Sequence, residues 1–179
     1  MDDPIESLAK KAGKVRDYDS PPLHLWHPPL SGDIPIRINA QGEWYHDGVE
    51  IRRPSLVRLF ASILRREDDG EYYLVTPGEK WRIEVDLHPL LVTDINPREI
   101  DGVQVLEATL NTGKQILVSE EYPFFTEPKV GNIVAMRLPH GLTALCSRPA
   151  WYRLVEMATS EDGVAVLRSG NYEFSLTAG

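Results

Sequence analysis

A chain of 179 residues fits one domain or two small ones, and its 42% hydrophobic content is ample for a core. The 27 acidic residues outnumber the 19 basic ones, and the formal net charge of −8 argues against wholesale binding to duplex nucleic acid or an anionic membrane. Cys146 is the only cysteine, and no apolar run approaches the ~18 residues of a spanning helix, so we expect no internal disulfide, no transmembrane segment and a cytoplasmic location.

Residues 1–30 are expected to form an N-terminal extension. Residues 2–16 are expected to be a frayed leader that docks loosely; the alternative is a short amphipathic helix with an apolar face of Ile5, Leu8, Ala9 and Ala12. Residues 20–30 hold four prolines and cannot be a helix interior or a central strand. We expect this segment to be extended and to pack three apolar side chains along the protein: Leu25, Trp26 and Leu30.

Two short strands are predicted next. Isoleucine alternates with other residues from Ile34 to Ile38, which predicts a strand, and Pro35 places that strand near the edge of a sheet. Gln41-Gly42 and Asp47-Gly48 predict tight turns on either side of a second strand around Trp44.

A helix is predicted from Pro54, because the missing N–H of proline would have no intrahelical partner at the first helical position. The helix is expected to include Arg65 and Arg66, which favour the negative end of the helix dipole, and to stop at Asp68-Asp69-Gly70. Its apolar stripe has a period of about 3.6 residues and consists of Leu56, Val57, Phe60, Ile63 and Leu64.

A hairpin is predicted after this helix. Pro77-Gly78 is a strong turn dipeptide between a β-rich run, Tyr72 to Thr76, and an alternating run, Trp81 to Asp86. Further on, Leu90 to Val92 is expected to lead into a loop over residues 94–97.

The last third of the chain predicts more strands and a second helix. Hairpin turns are expected at residues 111–113, 139–141 and 170–171, and residues 120–130 are expected to be a loop. The second helix is predicted to begin at Pro149 and to end at Asp162-Gly163, with Trp151, Leu154, Val155 and Ala158 on its apolar face.

The sequence indicates an internal duplication, with copies over residues 31–95 and 96–179. Arg53–Leu59 aligns with Arg148–Leu154 at Arg, Pro, Arg and Leu, and the order helix, Asp-Gly, strand, Gly-containing turn, strand then recurs. A chance match is the alternative. We therefore predict an α+β fold of mostly antiparallel strands with two similar halves, and a ligand site where the halves meet.

Several segments resemble the bacterial DUF1285 family of unknown function. Trp26–Ile38 (WHPPLSGDIPIRI) and Gly42–Lys80 resemble the core of that family, and TLNTG at 109–113 and LTALCSRPAWYRLVE at 142–156 resemble its C-terminal half. The resemblance implies a duplicated fold whose C-terminal half is superficially like a pleckstrin-homology (PH) domain. It also implies a nucleotide-like ligand between the halves and a role in signal transduction.

The arginines at the two helix starts are the first candidate ligand contacts. Arg52 and Arg53 precede the first helix, and Arg148 precedes the second. The backbone N–H groups of a helix start, together with a guanidinium, suit a phosphate or carboxylate. The alternative is that these arginines pair with the surplus carboxylates of the protein.

Other candidate contacts lie on the predicted strands and turns. Trp44 and Tyr73 are either core residues or stacking platforms for a base. Residues around the Pro-Gly turn either orient a ligand or serve the turn itself: Thr76, Glu79 and Lys80. Two polar residues, Arg37 and Asn111, complete the candidate set.

Known catalytic and metal-binding motifs do not fit this sequence. The five histidines have no metal-ligand spacing, and Cys146 has no identifiable base, so a small buried side chain is the expectation for it. Thr112-Gly113-Lys114 lacks the first glycine and the final Ser/Thr of a P-loop. We expect no metal, no cofactor and no catalytic residue.

Three classes of function stay open. The leading hypothesis is a non-enzymatic cytoplasmic sensor that holds a small anionic, nucleotide-like ligand and has no duplex nucleic acid or membrane partner. The second is an adaptor that binds a protein partner through exposed strand edges and residues 120–130. The third is an enzyme of unfamiliar chemistry. The sequence specifies neither the ligand, the partner nor the oligomeric state.

Overall fold

The computed structural model describes residues 4–13 and 21–176, which form two compact units. The first unit ends at Pro89 and also takes in His140–Leu142, and the second comprises the rest of the chain from Leu90. Strands dominate both units. None of the described helices is long and apolar enough to cross a membrane.

The first unit is built on one six-stranded sheet, in the order β3-β2-β1-β6-β5-β4. Neighbouring strands are antiparallel except β1 and β6, which are parallel. The elements are α1 (Pro4–Gly13), β1 (Gly32–Ile38), β2 (Trp44–His46), β3 (Val49–Glu50), α2 (Pro54–Ser62), β4 (Leu64–Arg66), β5 (Tyr72–Val75) and β6 (Lys80–Val85).

The two faces of this sheet differ in the way that strand alternation requires. Along β1, the isoleucines at 34, 36 and 38 are buried, whereas Asp33, Pro35 and Arg37 are exposed. Trp44 of β2 and Phe60 of α2 stack in the core, with ring centroids 6.3 Å apart. At β1 the sheet therefore has one face towards the core and one face towards solvent, whereas all four residues of β5 are buried.

The second unit contains a six-stranded sheet, in the order β10-β11-β12-β7-β8-β9, and a three-stranded sheet, β13-β14-β15. Among the described strands of this unit, β12 and β7 pair in parallel and the other pairs are antiparallel. The elements are β7 (Leu90–Ile100), β8 (Val103–Leu110), β9 (Gln115–Leu117), β10 (Phe124–Glu127), β11 (Ile133–Arg137), β12 (Thr143–Cys146), α3 (Arg148–Met157), β13 (Thr159–Glu161), β14 (Val164–Ser169) and β15 (Tyr172–Leu176).

The predicted α+β fold with two similar halves is confirmed. In each unit a helix is followed by a three-residue strand, a turn containing Asp and Gly, and two further strands. The corresponding series are α2-β4-β5-β6 and α3-β13-β14-β15. The likeness of the second half to a PH domain and the boundaries at 30/31 and 95/96 stay predictions.

Both helices end earlier than predicted, and for the same reason. α2 stops at Ser62, and Arg65 and Arg66 belong to β4 rather than to the last helical turn. α3 stops at Met157, before the Asp162-Gly163 turn. In both halves the next residues pair with a neighbouring strand, and this long-range pairing overrides the local helical pattern.

The prediction that Pro35 marks an edge strand is wrong. β1 is the third strand of six and pairs with β2 on one side and β6 on the other. Proline is tolerated there because its carbonyl accepts from the N–H of Asp47, one residue beyond β2, so the missing N–H falls at the end of the β1–β2 ladder.

Two predicted loops contain strands. Residues 94–97 lie inside the uninterrupted β7, where Pro97 pairs with Leu106. Residues 120–130 include β10, which pairs with β11. The prolines and charged residues of these segments led to the prediction of loops. In the structure, neighbouring strands pair with their backbone and make them strands.

The frayed leader expected at the N-terminus is wrong for residues 4–13, which form the alternative helix as α1, with Ile5, Leu8 and Ala12 buried; the rest of the predicted span, residues 2–3 and 14–16, lies outside the described residues. The packing predicted for the proline-rich segment is largely wrong. Leu25 and Leu30 are exposed, Trp26 is half-buried, and Leu23 is the buried anchor. The reason is a one-turn 3₁₀ helix at Leu23–Leu25, which changes the side of the chain that faces inward.

Candidate functional site

The pairing between β1 and β6 contains a bulge at the centre of the first unit's sheet. Asp33 pairs with Arg82 and Arg37 with Glu84, so four steps along β1 correspond to two along β6. Residues 34–36 have no partner on β6 in this register. Bulges of this kind often lie beside functional sites, because they turn side chains away from the regular pleat.

A groove of about 950 Å³ lies over this bulge. Every residue that lines it belongs to the first unit. The volume is in the range of roughly 300–1,000 Å³ that is usual for small-molecule sites. The groove is lined by residues 33–37 of β1, residues 82–84 of β6, and Asn39, Tyr45, Asp47, Gly48 and Glu71.

Arg37 and Tyr45 are cross-strand neighbours in the groove. The Nε and Nη2 atoms of Arg37 donate hydrogen bonds of 2.8 and 2.7 Å to the carboxylate of Asp86, and these bonds raise the pKa of Arg37. The hydroxyl of Tyr45 donates to Glu43 at 3.1 Å. A guanidinium and a half-buried aromatic ring are thus presented side by side.

Arg82 lies at the other end of the bulge, packed against a buried tyrosine. Its guanidinium carbon is 5.9 Å from the ring centroid of Tyr73. Tyr73 donates a short hydrogen bond to Asp69, which raises the pKa of the phenol and lowers the pKa of the carboxyl. The Nε atom of Arg82 is buried without a hydrogen-bond partner among the described residues; Oδ1 of Asp33 lies 3.5 Å away.

Carboxylates outnumber guanidinium groups in the groove. Both lining arginines already face an acidic residue, Asp86 or Asp33. Tyr72 pairs with Ile83, so the next residues, Glu71 and Glu84, lie opposite each other across the two strands. Like charges in that position repel. The groove therefore disfavours a ligand with several negative charges. The lining carboxylates are Asp33, Asp47, Glu71 and Glu84.

A separate ion network anchors the proline-rich segment to β4. Arg65 donates from Nη1 to the carbonyl oxygens of Leu23 and Trp26, each at 2.8 Å. Glu67 accepts from Arg65 Nη2 at 2.6 Å and from Lys80 Nζ at 2.8 Å. Burial alone would raise the pKa of Glu67, but the hydrogen bonds from Lys80 and Arg65 outweigh it, and the pKa is lowered below its ordinary value.

We expect Glu67→Gln to lower the free energy of unfolding by about 1 kcal/mol at neutral pH, after allowance for solvent screening. Because the folded pKa is the lower one, the carboxylate of Glu67 stabilises the fold above its unfolded pKa of about 4.3. That contribution is lost as the pH falls through the folded pKa. Urea unfolding of both proteins across the acid range measures the difference.

The control for this prediction is Glu156→Gln, at an exposed residue of α3 with no ion pair in the described part of the chain. Its unfolding midpoint should follow that of the unmodified protein at every pH. A difference between Glu67→Gln and the unmodified protein that persists unchanged below the folded pKa would contradict the ionic origin of the effect.

The residues predicted around the hairpin turn are engaged in this network or buried. Tyr73 is 2% exposed, and Lys80 lies 4.6 Å from its ring centroid. Glu79 pairs with Lys11 of α1 at 2.5 Å. Thr76 is buried, with its N–H bonded to the carbonyl of Glu79. The structure places none of these four in the groove.

The remaining predicted residues of the first unit are dispersed. Trp44 is 2% exposed, within the core, and its indole N–H has no hydrogen-bond partner among the residues that the structure describes. Arg52 is highly exposed and pairs with Glu50 at 3.2 Å. Arg53 is the N-cap of α2 and is exposed. Arg37 is thus the predicted residue that lines the groove.

Two predicted residues belong to the second unit. Asn111 exchanges hydrogen bonds with the backbone of Leu91, which fixes the β8–β9 turn against β7. Arg148 is exposed in the first turn of α3, where Ser147 caps the helix. Their proposed role as ligand contacts, and the site predicted between the halves, stay predictions.

Cys146 is the small buried side chain that the sequence predicted, and burial raises the pKa of its thiol to about 12. A thiol with that pKa is not ionised at neutral pH and is a poor nucleophile. Within residues 4–13 and 21–176, no three His, Cys, Asp or Glu side chains come together in a set that could hold a metal ion.

The polar groove residues that the sequence did not single out include Tyr45, Arg82, Glu84 and Asp33. Strand alternation could have identified one of them, Tyr45. Successive strand residues face opposite sides, so a core position for Trp44 implies an outward position for Tyr45. The bulge had no such signal, because it depends on the pairing of β1 with a strand that is remote in sequence.

The comparisons with known proteins agree with this architecture. The N-terminal domain of DUF1285, described as a domain of unknown function, matches residues 21–87. The C-terminal domain, described as a protein of unknown function, matches residues 89–176. No curated protein matches the chain.

Two solved structures resemble the chain. A DUF1285 family protein from Silicibacter pomeroyi DSS-3 is 37% identical, with a TM-score of 0.82 over 94% of this chain and 93% of that one. A DUF1285 family protein from Shewanella baltica OS155 is 28% identical, with a TM-score of 0.52 over 69% of this chain and 91% of that one. With both domain models matched in order along the chain, this protein belongs to the DUF1285 family.

Proposed function

We propose that this protein is a cytoplasmic, non-enzymatic binding module that senses a small anionic, nucleotide-like ligand and acts in signal transduction. The ligand lies in the groove of the first unit. The observation that carries the proposal is the position of Arg37 beside Tyr45, over the bulge of β1. A guanidinium next to an aromatic ring suits an anionic group joined to a planar one.

The arrangement of Arg37 supports this role. Its Nε and Nη2 atoms are held by Asp86, which fixes the plane of the guanidinium, and Nη1 has no partner among the described residues. A donor that is already oriented loses little conformational entropy when it binds.

The carboxylates of the groove define the charge that the ligand carries. A single phosphate monoester or carboxylate is accommodated, whereas a triphosphate would face Glu71 and Glu84. The same carboxylates accept hydrogen bonds from ligand hydroxyl or amino groups, as a sugar and a base provide. A nucleoside monophosphate has the matching combination of groups.

The proposal is tested by thermal unfolding in the presence of adenosine and guanosine monophosphates, the corresponding triphosphates and inorganic phosphate. A ligand present at ~100 times its dissociation constant adds about 2.7 kcal/mol to the free energy of unfolding. We expect the monophosphates to raise the midpoint more than the triphosphates. No rise with any of these compounds would contradict the proposal.

Arg37→Ala is expected to weaken monophosphate binding at least about tenfold, through loss of a charge-assisted hydrogen bond. Isothermal titration gives the dissociation constant. The matched control is Arg52→Ala, since Arg52 is also an exposed arginine paired with a carboxylate but does not line the groove. Its dissociation constant should equal that of the unmodified protein.

Arg53→Ala and Arg148→Ala distinguish the groove from the site predicted at the helix starts. For a ligand in the groove, neither substitution alters the dissociation constant. Weaker binding in these two variants with normal binding in Arg37→Ala would place the ligand at the helix starts and contradict the groove.

The adaptor hypothesis has one observation in its favour. The segment predicted as a loop, residues 120–130, contains β10, an edge strand of the second unit's sheet. An edge strand can be extended by a strand from a partner. Replacing Thr126 of β10 by proline removes a backbone donor, and loss of a co-purifying protein partner in that variant would support the adaptor role.

A further inference from the structure

We propose that Arg82 is the second anion contact of the groove, so that the anionic group of the ligand is bound between Arg82 and Arg37, across the bulge of β1. This inference rests on the proposed function and assigns a residue to it that the sequence did not single out. Arg82 pairs with Asp33 and Arg37 with Glu84, at the two ends of the bulge. Both line the groove.

The hydrogen bonding of Arg82 is incomplete. Its Nε atom is buried but makes no hydrogen bond within the part of the chain that the structure describes. The nearest carboxylate oxygen, Oδ1 of Asp33, is 3.5 Å away, which is too long for a good N–H···O bond. A buried donor without a partner is unusual and costly. An oxygen of a bound anion supplies the missing acceptor.

The surroundings of Arg82 hold its side chain ready for this role. The guanidinium lies over the ring of Tyr73, which is itself fixed by its hydrogen bond to Asp69. The side chain of Arg82 as a whole is 38% exposed although its Nε atom is buried, so a ligand in the groove reaches the guanidinium and meets Nε where the exposed carboxylate of Asp33 gives way. Arg37 is held by its two hydrogen bonds to Asp86.

The carboxylate of Asp33 competes with the anionic group of the ligand for Arg82. Asp33 lies close to Arg82 but is 74% exposed and poorly bonded to it. An incoming anion therefore takes the position next to Nε against the repulsion of Asp33. Removing the negative charge of Asp33 should strengthen anion binding, which is the opposite of the usual effect of a substitution in a binding site.

The experiment is an NMR titration of the isotope-labelled full chain with phenyl phosphate, a phosphate monoester that carries a planar ring. We expect Arg82→Lys to weaken binding at least about tenfold, because lysine keeps the charge but has no Nε–H in the arginine fork. Asp33→Asn should tighten binding by about two- to fivefold. Arg52→Lys is the control and should bind as the unmodified protein does.

The outcomes separate this inference from the proposed function. If Arg82→Lys and Asp33→Asn bind phenyl phosphate as the unmodified protein does, while Arg37→Ala binds it weakly, the role of Arg82 is overturned and the groove site stands. If the unmodified protein binds neither phenyl phosphate nor a nucleoside monophosphate, both are overturned. Unfolding midpoints without ligand confirm that each variant is folded.

Discussion

Gly141→Ala should lower the free energy of unfolding by about 2–4 kcal/mol, through backbone strain and a steric clash together. Gly141 has a φ of +72°, in the left-handed region that favours glycine. A Cβ atom added there would lie 2.8 Å from the carbonyl oxygen of Arg66 and 3.3 Å from its Cβ. The neighbour is backbone of β4, which cannot rotate aside as a flexible side chain can.

The contact matters because residues 140–142 belong to the first unit although the chain on either side belongs to the second. Leu142 is buried, and the turn also holds His140 at a φ of +63°. Because His140 and Gly141 both have left-handed backbone conformations, the chain makes a tight turn here. Urea unfolding measures the loss.

The matched control is Gly48→Ala in the same unit. Gly48 has a similar φ of +77°, but no atom lies within 4 Å of the added Cβ. We expect a loss of about 1–2 kcal/mol, the cost of the left-handed conformation alone. The excess in Gly141→Ala isolates the clash with Arg66. Equal losses in the two variants would mean that β4 moves away at little cost.

Local chemistry was sufficient to predict most turns and the existence of α2 and α3. Asp47-Gly48 turns with positive φ at both residues, as the dipeptide predicted. Pro54 begins α2, again as predicted. At these positions the conformational preference of one or two residues decides the structure.

Long-range pairing decided what the sequence did not predict. Ile63 and Leu64 continue the apolar stripe of α2, yet Leu64 pairs with Leu74 of β5 and Ile63 accepts a hydrogen bond from Val75. Two adjacent apolar residues at this point fit the end of an amphipathic helix and a short buried strand equally well. The pairing with β5 therefore ended the helix, and no local signal marks the point.

The candidate site was predicted in part for the same reason. The sequence predicts Arg37 as a ligand contact, and Arg37 does line the groove. It also predicts Trp44 as a ligand contact, but Trp44 is buried in the core and its neighbour Tyr45 lines the groove. The sequence does not indicate Arg82 as a ligand contact, because its partner across the bulge, Asp33, is remote in sequence. A site made by the pairing of distant strands has no compact motif.

Ser169→Ala should lower the free energy of unfolding by about 2–4 kcal/mol, because it leaves a buried donor and a buried acceptor unpaired. The hydroxyl of Ser169 accepts from the N–H of Leu106 at 2.8 Å and donates to the carbonyl of Val118 at 2.6 Å. Ser169 is 3% exposed, so water cannot replace the lost bonds without opening the structure.

One side chain thus joins three segments of the second unit: β14, β8 and the residue after β9. The adjacent turn is fixed to β8 as well, by a hydrogen bond from Gly170 N–H to the carbonyl of Gln104. Amide exchange provides a local measurement beside the unfolding midpoint. The N–H of Leu106 should exchange faster in the variant, since its acceptor has been removed.

Ser175→Ala is the matched control, because Ser175 lies on β15 of the same sheet but is exposed. We expect a change within about 0.5 kcal/mol there. Ser169→Ala could instead unfold at the midpoint of the unmodified protein, with the N–H of Leu106 still protected from exchange. The N–H of Leu106 and the carbonyl of Val118 would then hydrogen-bond to each other or to a water molecule. In that case packing against β8, rather than the hydroxyl, holds the three-stranded sheet in place.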